Sequence, residues 1–215
     1  MLTTSKKLLL ITSVSLASTL TCAEISTNLG YTSEYYFRGI YQAESSASAG
    51  IDFSQSGFYA GVWGADVGDG LETDVYGGYE FEFAKDFSAS VGFTGYYYTG
   101  EFDDTYEEIN LGLSYKFISI GYSVGTWDGG TDIDDDYDFL QITVEHEGFY
   151  GTYGSFGDEA DGDYFEFGYG TEIGGFDTSI ALILSSEELS DQLDSSDNPT
   201  ESEALIFTIS KSFDL

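Results

Sequence analysis

The chain has 215 residues and carries 39 Asp and Glu against 6 Lys and Arg, a formal net charge of −33. Yet 17% of it is aromatic, with 18 Tyr, 17 Phe and 2 Trp, and a single Pro stands beside 27 Gly. Acidic disorder is excluded because such chains are poor in aromatics, and nucleic acid is excluded as a partner because six scattered basic residues make no footprint to neutralise phosphates.

In chain order, the first element is an export signal over residues 1–23. Lys6 and Lys7 precede a short apolar stretch, Leu8–Leu20, and Thr21-Cys22-Ala23 ends in a small-x-small pattern that predicts cleavage before Glu24. The stretch is too short to cross a bilayer as a helix. Lipidation at Cys22 is the competing reading, but Thr19 stands where a lipobox carries Leu. Export takes 24–215 out of the cytoplasm. That segment has no Cys, hence no disulfide, and its only basic residues are Arg38, Lys85, Lys116 and Lys211.

Period-2 alternation then runs almost without pause, the mark of β-strands with two unlike faces. Ile25, Leu29, Tyr31, Tyr35 and Phe37 share the apolar face of a first strand. Further strands follow over 47–53, 75–83, 87–97, 109–117, 118–127, 139–146, 164–171, 176–184 and 205–213. The stretches 58–67 and 149–156 also read as strands, with aromatics on both faces. The total is about twelve strands of roughly ten residues, the length that crosses a bilayer at a tilt.

The connections alternate. Short ones are Gln55-Ser56-Gly57, Ala84-Lys85-Asp86, the Phe117–Ser119 corner, Glu147-Gly148 and Gly174-Gly175. Long ones are Arg38–Glu44, Gly68–Glu72, Gly100–Tyr106, Asp128–Asp138, Gly157–Asp163 and Ser185–Glu203, and more than half of the 39 acids sit in or beside four of them. Short and long connections on opposite ends are what an up-and-down barrel shows when its two rims face different surroundings. At the C-terminus, Leu205, Phe207, Ile209, Phe213 and Leu215 share one face, interrupted by Lys211. Such a strand suits recognition by barrel-insertion machinery.

A bilayer requires every backbone polar group to be paired internally, so a membrane β-sheet must close. The polar faces here are rich in Gly, Ser, Thr, Asn and acids, which make a poor dry core but a good lumen wall. We therefore expect an all-β, transmembrane, antiparallel up-and-down β-barrel over 24–215. The alternative is an exported soluble β-sandwich. Partners follow from the barrel: outer-membrane lipid and lipopolysaccharide of a Gram-negative bacterium, and the insertion machinery.

Several segments carry a family likeness. Glu24–Ile40 reads E-I-S-T-N-L-G-Y-T-S-E-Y-Y-F-R-G-I, followed by Gln42; Gly57–Gly64 reads G-F-Y-A-G-V-W-G; Glu72–Tyr79 reads E-T-D-V-Y-G-G-Y; Leu113–Gly121 reads L-S-Y-K-F-I-S-I-G. Together they resemble the TorF-type porin family, a conserved bacterial family of hypothetical proteins. The resemblance implies an outer-membrane barrel with a pore role and no catalytic residues.

Candidate site residues come from the polar faces. Glu34, Asp52, Asp74, Glu80, Lys116 and Glu166 are expected to line the pore, and rings of acids favour cations. Arg38, the only Arg, is expected at the pore mouth, either paired with Glu34 or a loop acid, or anchored beside an aromatic girdle. Asp132, Asp134, Asp136 and Asp138 have the alternating spacing of an EF-hand start, but Tyr137 stands where that loop needs Gly. They offer a weak Ca²⁺ site within a solvated acidic loop, and no other cofactor is expected. The only His, His146, sits beside the short Glu147-Gly148 turn, away from the rim where a hydrolase would need it, so no enzyme is expected. The function these features suggest is passive, cation-preferring diffusion through a small pore. The alternative is a non-conducting structural or adhesive barrel with cation-binding outer loops.

Overall fold

The computed structural model describes residues 23–129, 135–158 and 160–215. Residues 1–22, all but the last residue of the expected export signal over 1–23, and two of the expected calcium ligands, Asp132 and Asp134, lie outside them.

The strands are β1 (Glu24–Thr32), β2 (Tyr35–Phe37), β3 (Ile40–Ala43), β4 (Ser46–Gln55), β5 (Phe58–Asp66), β6 (Leu71–Ala84), β7 (Phe87–Tyr98), β8 (Thr105–Tyr115), β9 (Ile118–Asp128), β10 (Asp135–His146), β11 (Phe149–Asp158), β12 (Asp163–Ile173), β13 (Phe176–Ser185) and β14 (Ser202–Asp214). Twelve of them form one closed barrel, in which β1 and β4 through β14 follow in chain order. Every neighbouring pair is antiparallel, and β1 closes the ring by pairing with β14 from Ser26↔Asp214 to Thr32↔Thr208. The barrel expected from the alternation is the one observed.

Two-residue turns join the strands at one end. Ser56-Gly57, Glu147-Gly148 and Gly174-Gly175 all carry positive φ at both residues, the twist-matched hairpin geometry. One corner differs from expectation. The chain turns at Lys116-Phe117, with Lys116 at φ 55, rather than at Phe117–Ser119. No Gly or Asn marks that position in the sequence. Lys116 is thereby corrected from a wall residue to an exposed turn residue, its ammonium 5.0 Å from the Tyr115 ring.

The exterior is apolar. Leu29, Leu111 and Phe167 are 57%, 50% and 50% exposed, and dozens of large side chains like them cover the strands. A soluble monomer does not leave so much contiguous apolar surface open, whereas a transmembrane barrel presents such a band to hydrocarbon. Near the short-turn end the outward rings form a chain: Phe58–Tyr79 at 4.7 Å, Tyr79–Phe81 at 6.0 Å, Phe81–Phe83 at 6.3 Å, Phe83–Phe87 at 5.7 Å and Phe87–Tyr115 at 4.2 Å. Lys211, the interruption in the last strand, lies among this belt with its ammonium 4.8 Å from the Phe176 ring and 5.6 Å from that of Phe213. Aromatic rims of this kind suit a membrane interface.

The interior wall has its own rule. Inward tyrosines face inward glycines directly across the ladder: Tyr150↔Gly168, Tyr164↔Gly154 and Tyr76↔Gly61. A Cβ built at Gly168 would fall 2.4 Å from the Tyr150 ring, and one at Gly154 would fall 2.3 Å from that of Tyr164. The missing side chain lets each ring lie flat on the neighbouring strand.

The largest departure is at the start of the barrel. The alternation from Ile25 to Phe37 reads as one strand, but β1 stops at Thr32. Thr32 Oγ1 donates to the Glu34 carbonyl at 2.8 Å, and Ser33 is tied at both its N–H and its hydroxyl to Phe207 at 2.9 Å. The chain bends there and enters the barrel as a separate two-stranded hairpin, β2–β3. Arg38 and Gly39 form its tip, with φ of 50 and 85.

Candidate functional site: the lumen and its inserted hairpin

The hairpin crosses the lumen and touches most of the wall. At its base, the Tyr35 hydroxyl donates to Glu72 of β6 at 2.9 Å. The Phe37 ring meets Tyr96 of β7 edge-on at 5.3 Å. At the tip, the Arg38 guanidinium makes two hydrogen bonds to Glu108 of β8, one of them at 3.0 Å from Nη2 to Oε2. It reaches Ser123 of β9 at 3.4 Å and lies 4.2 Å over the Phe139 ring of β10. Across the lumen, the Ser185 hydroxyl of β13 donates to the Gly39 carbonyl at 2.6 Å. Gly39 fits only without a side chain, since a Cβ there would sit 2.8 Å from Tyr164.

Apolar packing holds both flanks. On one side, Tyr36 and Ile40 pack on a cluster of Phe139, Tyr164, Ile183, Leu189 and Ala204. On the other, Tyr35 and Ala43 are buried with Ala65 and Val67, beside Phe37 and Trp63. The hairpin therefore occupies the part of the lumen nearest the long loops.

The Arg38–Glu108 pair is enclosed, with side-chain exposures of 7% and 0%. Glu108 also accepts from Tyr137 at 2.8 Å, Asn110 at 3.0 Å and Tyr96 at 3.3 Å. A guanidinium cannot lose its proton in a protein, so this is a fixed ion pair with a bidentate fork. Arg38 was expected at the pore mouth beside Glu34 or a loop acid. The structure corrects this: its partner is a strand residue on the far wall, and Glu34 lies half-buried in the bend before β2.

Among the other expected lining residues, Asp52 points inward, taking hydrogen bonds from the Tyr76 hydroxyl and from Asn28 at 3.1 Å. Glu166 accepts from the Tyr150 hydroxyl at 2.6 Å. Asp74 and Glu80 share the inward face of β6 with Tyr76. Asp136 and Asp138 stand on β10 instead of in a loop. Among the described residues, no group of three or more His, Cys, Asp or Glu is placed to hold a metal ion.

Two site residues went unread in the sequence. The sequence pattern places Glu72 and Glu108 in or beside loops, yet they are 0% and 3% exposed inside the barrel. The signal was present: carrying the polar face of β8 one step beyond Asn110 reaches Glu108, and carrying that of β6 one step before Asp74 reaches Glu72. Outside the barrel, the last long connection is partly ordered. Backbone N–H groups of Asn198 and Ser196, with the Asn198 side chain, hold the Asp194 carboxyl below the usual range, so this face stays charged.

Comparison with curated proteins gives no match. Among solved structures, the chain is similar to a membrane protein from a study of in-meso crystallization, with 7% identity, TM-score 0.56, and 88% of this chain and 84% of that one covered. It is also similar to the outer membrane protein OprD of Pseudomonas aeruginosa (10% identity, TM-score 0.43, 89% of this chain and 66% of that one). OccK2 of the same organism, solved with glucuronate, gives 11% identity, TM-score 0.43, and 89% and 68% coverage. The chain thus spans just under two thirds of the length of OprD. At such identities the likeness speaks for a barrel fold alone. The sequence itself is more specific: a family profile matches residues 17–198, and the chain belongs to Gcw_chp, a family of bacterial proteins of unknown function.

Proposed function

We propose that the protein is an outer-membrane porin of small conductance that prefers cations and rests with its outer half blocked by the β2–β3 hairpin. The single observation that carries this reading is the lumen's charge: among the described residues Arg38 is the only basic side chain inside the barrel and is already paired with Glu108, while Asp52, Glu72, Asp74 and Glu166 line the wall. Acid-lined constrictions favour cations. The apolar exterior and aromatic belt support insertion in lipid, and residues 1–23 would direct export. The acid-rich loops would then face outward, toward lipopolysaccharide, and the C-terminal strand would address the insertion machinery.

The test is a planar bilayer with the folded protein in a KCl gradient. A reversal potential of the sign set by K⁺ is expected, and an anion-selective potential would overturn the cation preference. The packing on both flanks of the hairpin favours one second reading, a barrel that does not conduct. In that case the intact protein forms no channels, and they appear only when residues 35–43 are replaced by a short polar turn.

A further inference from the structure

We propose that Glu72 and Asp74 form a binding site for a hard divalent cation of the calcium type, enclosed in the barrel beneath Tyr35 of the hairpin. The site is separate from the acidic segment around Asp136, and it does not depend on whether the barrel conducts.

The first observation is two unpartnered oxygens. Glu72 is wholly buried, and one of its carboxylate oxygens takes the Tyr35 hydroxyl at 2.9 Å. Its other oxygen, Oε1, has no hydrogen-bond partner and no contact with solvent, and the same holds for Oδ1 of Asp74. Buried polar atoms are nearly always satisfied, and each exception calls for an explanation. Besides Arg38 Nε, the exceptions among the described residues are these two oxygens, on carboxylates two residues apart on one face of β6. Same-face neighbours on a strand stand about 6.5 Å apart, a spacing at which both side chains can reach one ion.

The second observation is charge. Glu72, Asp74 and Glu108 share this part of the lumen with Arg38, the one cation, whose fork is engaged by Glu108. The Glu72 and Asp74 carboxyls are left with no cation of their own. Enclosing carboxylates without a counter-charge is costly, and one divalent cation would balance the pair. The donors on offer are oxygens only, which selects hard cations over zinc or copper. No third carboxylate completes the set among the described residues, so an ion would have to bring its remaining ligands with it as water. Because Tyr35 belongs to the hairpin, ion occupancy and hairpin position are linked.

Terbium luminescence excited through tyrosine tests the site, using the full chain folded in detergent micelles with Tb³⁺ as the probe and Ca²⁺ as competitor. A saturable, calcium-displaceable component is expected. It should vanish in the double variant E72Q/D74N and persist in D136N/D138N, with folding checked by heat-modifiable gel migration. Asp74→Asn alone, which keeps the side-chain volume, should weaken it about tenfold or more, and this variant decides the matter if the double one does not fold. An unchanged component in Asp74→Asn or in the folded double variant would overturn the site and leave the two carboxyls sharing a proton. The measurement needs no conductance, so its outcome is independent of the porin reading.

Discussion

Replacing Arg38 by alanine should release the hairpin. The substitution removes both hydrogen bonds to Glu108, the 3.4 Å contact to Ser123 and the stacking over Phe139. It also leaves Glu108, whose side chain is fully buried, without its counter-charge. Breaking one side of a buried ion pair costs about 3–5 kcal/mol, mostly from the charge left behind. That cost falls only on the inserted state, since a hairpin swung outward gives Glu108 water. At about 1.4 kcal/mol per factor of ten, the balance between inserted and released hairpin shifts by roughly a hundredfold to a few thousandfold. The readout is single-channel recording: the wild type should show rare, small openings, and R38A should show larger and longer ones. Glu108→Gln should act in the same direction, because it strands the guanidinium instead. The double variant should fall well short of the sum, as contacting residues do. If R38A folds normally and its open probability and conductance match the wild type, the hairpin is not what limits the lumen.

The remaining predictions concern tip, wall and exterior. Ser185→Ala removes the 2.6 Å bond to the Gly39 carbonyl and should loosen the hairpin by about 1 kcal/mol, giving fewer openings than R38A in the same recordings. Gly168→Ala drives a methyl into the Tyr150 ring, which bonds Glu166 at 2.6 Å. A loss of about 1–3 kcal/mol is expected from urea unfolding in liposomes, whereas Gly121→Ala, whose nearest atom lies at 3.9 Å, should be close to neutral. Leu111→Arg, on the outward face midway along β8, should cost about 2–4 kcal/mol if that face meets hydrocarbon. Stability unchanged by it would argue against membrane burial of this surface.

The barrel was legible because a two-faced strand writes its period into the sequence, and because turns such as Glu147-Gly148 and Gly174-Gly175 carry their own chemistry. The hairpin was not. Tyr35 and Phe37 keep the parity of Ile25, Leu29 and Tyr31, and an apolar ring serves a lipid face or a lumen plug equally well. Only the bend at Ser33 separates the two, and it is held by Phe207, 174 residues along the chain. Glu108 and Glu72 were hidden for a related reason: at the end of a strand, an acid on the polar face is indistinguishable from the first acid of a loop until its partner is known. Tyr150 shows a third limit. Its place against the wall depends on Gly168 standing opposite, a matter of register, which a single strand does not encode.

The seam between β1 and β14 has a consequence for assembly. The hairpin leaves directly from the end of β1, yet its anchors lie on β6 through β13. None of those anchors surrounds a cavity until the last strand has been laid beside the first, Ser26 against Asp214. A hairpin still outside at that moment would have to thread back through the crowded acidic rim. Corking and sealing the barrel are therefore best achieved as one event, with the nascent ring folding around its own stopper, and a chain that closes empty would be a distinct, leaky product.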